Sequence, residues 1–214
     1  MVLSGNDASI ELRDLDSKSR CSRSFPIEFA QGGLINEDTI LACNSLDNLE
    51  CYSMSLKDFK PKLLDFNVKY RLDSHSVVLD TGELWITGGS KSGVHFDDTE
   101  IVSLTEIKSG PTLPEPVDGH CLVKINSTTI ALLTGHWSGP NTNKTWFIHT
   151  DSEPWRMVAG PEVNIARYVP ACIKFEFNGD TFIALVGSSQ PKESKKVEFL
   201  NLKDSFWING RWRH

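Results

Sequence analysis

Short apolar runs separated by turn-forming residues make up most of the chain. The runs are rich in β-branched and aromatic residues and are bounded by Gly, Pro, Asn and Ser, which is typical of β-strands. No window has a convincing apolar period of 3.6 residues, so no helix is predicted. Turn sequences such as Asn178-Gly179-Asp180 tolerate positive φ and indicate tight hairpins between successive strands. The pattern predicts an all-β fold.

The strand pattern repeats about every 50 residues. Gly110-Pro111-Thr112-Leu113 aligns with Gly160-Pro161-Glu162-Val163, and the apolar run 130–135 aligns with 183–187. Weaker copies of the same apolar strand lie upstream. Within the repeat, the predicted structural markers are Gly88, Gly89, Gly135, Trp155, Gly187 and Trp207. Trp155 follows Gly135 by 20 residues, and Trp207 follows Gly187 by 20 residues. This regularity predicts a tandem array of like units.

Each unit reads as four short strands. In the third unit they are predicted at 74–79, 83–87, 99–104 and near Ile107. A four-stranded sheet of this size cannot bury both faces alone, so sheets that stack radially and cover one another are favoured. Gly88-Gly89 is expected to take positive φ where the chain turns sharply, and the Trp residues are expected to pack between sheets. The predicted units are 1–27, 28–66, 67–115, 116–162 and 163–210, followed by a short basic tail at 211–214.

The repeat, with its glycine-ended apolar strand and spaced tryptophans, resembles the kelch repeat of the galactose-oxidase-like β-propeller superfamily. The match is best from Tyr70-Arg71 through His75 to the strand Leu84–Gly89, and Ala166-Arg167-Tyr168 provides a second match. Only one unit keeps the Gly-Gly pair, so the array resembles a degenerate, animal-type kelch protein. The resemblance implies a kelch-type β-propeller of about five four-stranded blades. Since kelch rings usually close with six or seven blades, we expect an incomplete or open ring, or a fragment of a longer propeller.

Charge and composition exclude several classes of protein. The 214 residues include 22 Lys and Arg against 28 Asp and Glu, a net charge of −6, which disfavours nucleic-acid binding because a phosphate backbone attracts the opposite charge. No apolar run approaches the roughly 18 residues of a membrane span. The start of the chain has no signal-peptide pattern, and the localisation is left open between cytoplasmic and secreted.

The five cysteines form no C-x-x-C pair, so neither a zinc ribbon nor a thioredoxin-type site is predicted. Cys121 and Cys172 recur at one position of the repeat and are interpreted as small buried side chains. A disulfide among Cys21, Cys43 and Cys51, bridging two neighbouring units, is left open. The use of two glycosylation sequons, at Asn126 and Asn143, is also left open.

No catalytic residue, metal site or cofactor is predicted. The six histidines form no H-E-x-x-H pattern, and His75 and His120 are interpreted as polar residues that begin inner strands. The segment 88–93 lacks the Lys of a phosphate-binding loop, because Val94 stands at that position, and is interpreted as a flexible loop between strands.

Binding by propellers uses loops held on a rigid scaffold. The resemblance implies that the loops after the Gly-Gly strand and before the next inner strand share one face. Those loops also carry Asp97, Asp98, Glu115, Asp118 and His136. The candidate partner-binding residues are Arg71, Asp73, Lys91, His95, Trp137, Arg167 and Tyr168. The predicted function is a non-catalytic protein-interaction module that binds a protein or peptide of unknown identity. The alternative is an extracellular glycan-handling or oxidase-like propeller.

Overall fold

The computed structural model describes residues 2–3, 9–13, 20–24, 30–44, 48–136, 142–189 and 195–210. Within these ranges the regular secondary structure is entirely β-strand, so the all-β prediction is confirmed. The described part of the chain contains no helix long and apolar enough to cross a membrane.

The strands follow one another with short connections. Their bounds are β1 Val2–Leu3, β2 Ser9–Arg13, β3 Arg20–Ser24, β4 Ala30–Leu34, β5 Thr39–Asn44, β6 Glu50–Ser55, β7 Pro61–Asn67, β8 His75–Val78, β9 Leu84–Thr87, β10 Ser90–Lys91, β11 Val94–His95, β12 Thr99–Val102, β13 Ile107–Ser109, β14 Cys121–Asn126, β15 Thr129–Leu133, β16 Thr145–His149, β17 Arg156–Ala159, β18 Ala171–Phe177, β19 Asp180–Val186, β20 Val197–Asn201 and β21 Phe206–Gly210.

Four of the sheets have four strands each, in the orders β4-β5-β6-β7, β13-β12-β9-β8, β14-β15-β16-β17 and β18-β19-β20-β21. A three-stranded sheet, β1-β2-β3, precedes them. Neighbouring strands run antiparallel, as in β14–β15 and β18–β19. In three of the four-stranded sheets each strand pairs with the strand that follows it in sequence, so a chain of hairpins suffices to build them. In the remaining one, β9 pairs with β12, and the β10–β11 hairpin lies between these two strands in sequence. A repeated four-stranded sheet is what a β-propeller-like fold requires.

The third predicted unit has its four strands where the sequence placed them, at β8, β9, β12 and β13. The segment 88–93, predicted as a flexible loop, instead contributes to a short hairpin, because β10 pairs with β11. Ser92 and Gly93 at its turn have φ values of 52° and 80°. Two consecutive residues with positive φ match the twist that two-residue hairpin turns need.

The chain divides into two compact units. The first comprises residues 1–72, 76–86 and 100–110, and the second comprises residues 73–75, 87–99 and 111–214. The first unit has one buried cluster that includes Leu41 and Cys43 and another that includes Ile40 and Ala42. These four residues alternate along β5, so both faces of this strand are covered by apolar side chains.

The core of the second unit includes Trp207, which is 9% exposed and packs in a cluster with Val163 and Leu200. Its indole N–H donates to the carbonyl of Pro161 at 3.0 Å. Trp155 differs, because it precedes β17, is half-buried, and donates to a Glu153 carboxylate oxygen at 3.1 Å. Equal spacing from the preceding glycines therefore does not place the two indoles at equivalent strand positions.

The marker glycines take the backbone conformation expected of them. Gly88, Gly89, Gly135 and Gly187 all have positive φ, between 56° and 110°. A Cβ atom at Gly88 would lie 2.2 Å from the carbonyl oxygen of Val117. This position therefore needs glycine both for its φ of 56° and for the close approach of another backbone segment.

Two disulfides correct the interpretation of the cysteines. Cys121 and Cys172, predicted to be separate small buried side chains, are joined, with a Cα–Cα distance of 6.1 Å. Cys121 is the first residue of β14 and Cys172 is the second residue of β18, the first strands of two successive sheets, so the repeat itself brings them close together. Cys43 and Cys51 form the second disulfide and are directly paired residues of β5 and β6. This bond lies within one sheet and does not bridge two units. The side chain of Cys21 lies outside the described part of the structure.

Candidate functional site

Arg71 and Arg167 form buried ion pairs. Arg71 Nε lies 3.1 Å from Glu100 Oε2, and Arg167 Nη2 lies 3.0 Å from Glu198 Oε2. Both arginine side chains are 0% exposed. This corrects the expectation that the two arginines lie at an exposed binding surface. A buried guanidinium needs a carboxylate partner, and the folded chain supplies one to each arginine.

The Arg167 pair fixes the loop that precedes β18. Besides Glu198, the Arg167 guanidinium donates to the carbonyl of Gly187 at 2.9 Å and to that of Lys196 at 3.0 Å. The carbonyl of Arg167 in turn accepts from the hydroxyl of Thr134 at 2.6 Å. Hydrogen bonds to the side chain and to the backbone carbonyl of Arg167 therefore fix the backbone position of the next residue, Tyr168.

Five side chains of the second unit meet beside that loop. We call them the His–Asp–Tyr cluster: Asp73, His95, Asp118, His136 and Tyr168. His95 ends β11 and His136 follows β15, whereas the other three precede the first strands of three successive sheets. The cluster is therefore built from two kinds of segment: those that follow the second strand of a sheet and those that precede the first strand of a sheet.

Asp118 is the central member of the cluster, and its side chain is 5% exposed. Its Oδ2 lies 3.3 Å from His95 Nδ1, and its Oδ1 lies 3.5 Å from His136 Nδ1. The two imidazole rings have centroids 4.6 Å apart at an interplanar angle of 77°. Ligand atoms of these three residues lie within 4.8 Å of one another, close enough to hold one metal ion.

Tyr168 connects the histidines to Asp73. Its ring meets that of His136 edge to face, with centroids 6.2 Å apart, and its hydroxyl donates to Asp73 Oδ2. Burial, followed by the hydrogen bond to the Asp73 carboxylate, raises the pKa of the Tyr168 phenol. Tyr168 therefore remains a protonated hydrogen-bond donor at neutral pH.

Backbone bonds hold the cluster in place. Asp118 and His136 form an isolated antiparallel bridge, with N–O distances of 3.1 and 2.8 Å. Gly119 donates to the Asp73 carbonyl at 2.8 Å and accepts from Val169 at 2.7 Å. A Cβ at Gly119 would lie 2.2 Å from the Tyr168 ring. The ring therefore packs directly against a stretch of backbone that only glycine leaves open.

A second histidine pair lies where the sequence placed it. His75 begins β8 and His120 immediately precedes β14, with ring centroids 5.9 Å apart. His120 Nε2 lies 2.7 Å from the Thr87 hydroxyl. Burial lowers the pKa of His75 to about 4 and lowers that of His120 well below its ordinary value. Both rings are therefore neutral at pH 7.

The other predicted site residues have different placements. Lys91 is exposed on β10, and Trp137 lies outside the described residues. Glu115 forms an ion pair with Lys144. Of the predicted candidates, the cluster unites Asp73, His95 and Tyr168. Sequence reasoning placed Asp118 and His136 on the same loops without selecting them. Their only sequence signal is their position relative to the repeat, since Asp118 precedes His120 and His136 follows Gly135.

The chain is similar to a protein of known structure, YjhT, with a TM-score of 0.74 at 10% sequence identity. The likeness covers 95% of this chain and 78% of YjhT. At that identity it shows a shared fold and nothing about function. No protein-family model matches the chain, and no curated protein matches it.

Proposed function

We propose that this chain is a kelch-like β-propeller that serves as a non-catalytic protein-interaction module. The observation that carries the proposal is the His–Asp–Tyr cluster, in which three predicted binding residues meet on loops held by backbone hydrogen bonds. Side chains pre-arranged on a rigid scaffold bind a partner at a smaller cost in ordering entropy than mobile ones do.

The chemistry of the cluster suits a polar protein or peptide. It combines two carboxylates, two imidazoles and a phenol, and the side chain of His136 remains 34% exposed. Tyrosine is enriched at the centres of protein interfaces because it offers apolar area together with a hydrogen-bonding group. Lys91, exposed on the β10–β11 hairpin that also carries His95, adds a positive charge to the same hairpin.

The propeller part of the proposal is supported by the repeat. Positive φ at the marker glycines, the succession of four-stranded sheets and the fold likeness to YjhT all agree with it. The kelch assignment rests on the Gly88-Gly89 pair and on the two Tyr and Arg dipeptides, Tyr70-Arg71 and Arg167-Tyr168. In this proposal the buried Arg–Glu pairs stabilise the loops and do not contact the partner.

Quantitative affinity capture tests the proposal. Wild-type protein is compared with Lys91→Ala and His136→Ala, two exposed or half-exposed positions at the cluster and its rim, and with Lys203→Ala, an exposed control elsewhere in the second unit. We expect one or more proteins to be retained by wild type and by the control but depleted at least about tenfold by the two variants, a loss of about 1.4 kcal/mol.

The identified protein is then purified and its Kd measured against all four chains. An identical set of captured proteins for every variant would show that the cluster is not the binding site. Turnover of a glycan or alcohol by the purified chain would instead favour the glycan-handling or oxidase-like alternative.

A further inference from the structure

Asp118 is a buried carboxylate without full compensation. The residue is 3% exposed, and among the described residues its Oδ1 has no hydrogen-bond partner, nor does Nδ1 of His95, which faces the same carboxylate. The distances of 3.3 and 3.5 Å to the two imidazoles are within ion-pair range, yet the His95 contact lacks hydrogen-bond geometry. Burying a carboxylate is costly unless a positive charge or hydrogen-bond donors face it.

The spacing of the three residues fits a transition-metal ion. Zinc binds imidazole nitrogen and carboxylate oxygen at about 2.0–2.2 Å in tetrahedral geometry, which places neighbouring ligand atoms roughly 3.3–3.5 Å apart. His95 Nδ1 lies 3.3 Å from Asp118 Oδ2, and His136 Nδ1 lies 3.5 Å from Asp118 Oδ1. One ligand atom from each residue can be chosen so that all three lie within 4.8 Å of one another, so the three side chains converge on a region the size of one ion. The backbone bridge between Asp118 and His136 holds two of the three ligands without any ion.

We propose that His95, Asp118 and His136 form a binding site for a divalent first-row transition-metal ion, with Zn²⁺ as the reference ion. The inference goes beyond the proposed partner binding and does not depend on it. Imidazole and carboxylate ligands suit zinc better than magnesium or calcium, which favour all-oxygen sites. Three protein ligands leave one position for a water molecule or for a side chain of another molecule.

A bound ion has a structural consequence within the second unit. It would link three segments that are separate in sequence: the hairpin β10–β11, the loop before β14 and the segment after β15. Because the ion binds the folded arrangement of ligands, it stabilises the fold by mass action.

Isothermal titration calorimetry with ZnCl₂ on chelator-treated protein tests the site. We expect one ion per chain and a rise in the melting temperature with added Zn²⁺. His136→Gln and Asp118→Asn should each weaken binding by at least about 100-fold, because even loss of a supporting residue outside the ligand set typically costs 10–100-fold. Co²⁺ in place of Zn²⁺ should give the visible absorption bands of tetrahedral coordination, which the variants lose.

Two matched controls separate this site from other ligands in the chain. His149→Gln removes a histidine on β16 that is not among the three proposed ligands, and Cys21→Ser removes a cysteine outside the two disulfides. Both should bind Zn²⁺ as wild type does. Absence of stoichiometric binding, or binding left unchanged by both His136→Gln and Asp118→Asn, would overturn the proposal. Since His136 is half-exposed, its variant is expected to fold and keeps the test decisive if Asp118→Asn does not.

Discussion

Arg167 and Glu198 form an ion pair in which both side chains are 0% exposed. Glu198 also accepts a hydrogen bond from the backbone N–H of Asn164 at 2.8 Å. The first unit contains the same arrangement, in which Glu100 pairs with Arg71 and accepts from the backbone N–H of Lys69. In both, the Glu lies on the third strand of a sheet and holds in place the loop that leads into the first strand of the same sheet. The repeat therefore includes a buried polar anchor as well as its apolar strands.

Breaking this anchor should destabilise the second unit strongly. We expect Arg167→Met to lower the free energy of unfolding by about 3–5 kcal/mol, because it leaves Glu198 as an uncompensated buried charge. Urea unfolding measures the change. The exposed Arg156→Met serves as the control and should change stability by less than about 0.5 kcal/mol. The double variant Arg167→Met with Glu198→Leu should recover part of the loss; no recovery would contradict the charge-burial explanation.

The two disulfides should contribute unequally. Cys121 and Cys172 are separated by 51 residues and Cys43 and Cys51 by 8. In the chain-entropy view a longer closed loop stabilises more, roughly 4 against roughly 2.5 kcal/mol here. The double variant Cys121→Ala with Cys172→Ala should therefore unfold at lower urea than Cys43→Ala with Cys51→Ala. The reverse order would show that packing around the shorter disulfide outweighs loop length.

Gly88→Ala should be costly. The new Cβ would lie 2.2 Å from the Val117 carbonyl oxygen at a φ of 56°, which adds a steric clash to backbone strain, together about 2–4 kcal/mol. Gly93→Ala is the matched control, since Gly93 also has positive φ but no atom of the described residues lies within 4 Å of its added Cβ. Only backbone strain, about 1 kcal/mol, applies there. Equal losses in thermal unfolding would argue against the close approach.

Stability should fall as the pH is lowered from 6.5 to 4. Burial lowers the pKa of His75 to about 4 from an ordinary value of 6.5. Between these values the unfolded chain binds a proton that the folded chain does not, so the free energy of unfolding rises with pH across this window. Urea midpoints at several pH values measure the slope, and His75→Phe, which keeps an aromatic ring, should reduce it. His149→Gln should leave the slope unchanged; a wild-type slope in His75→Phe would contradict the assignment.

The strands and their repetition could be predicted because both depend on local sequence. Alternating short apolar runs and Asn, Gly and Asp turns indicate hairpins wherever they occur, so the four strands of the third unit lie where the pattern put them. The turn at Ser92-Gly93 shows the limit of this reasoning. Its two-residue hairpin has no apolar alternation, and the pairing of β10 with β11 and the positive φ values at the turn identify it in the folded chain.

Sequence by itself determined the all-β class, the four-stranded unit and the positive φ expected at Gly88-Gly89, since each follows from residues close together in the chain. Tertiary structure alone decided the partners of Arg71 and Arg167, the Cys121–Cys172 bond and the composition of the His–Asp–Tyr cluster. Asp73 and Tyr168 are 95 residues apart in sequence and meet because different sheets present their loops at one place. Contacts between side chains this far apart in sequence produce no local sequence pattern from which they could be predicted.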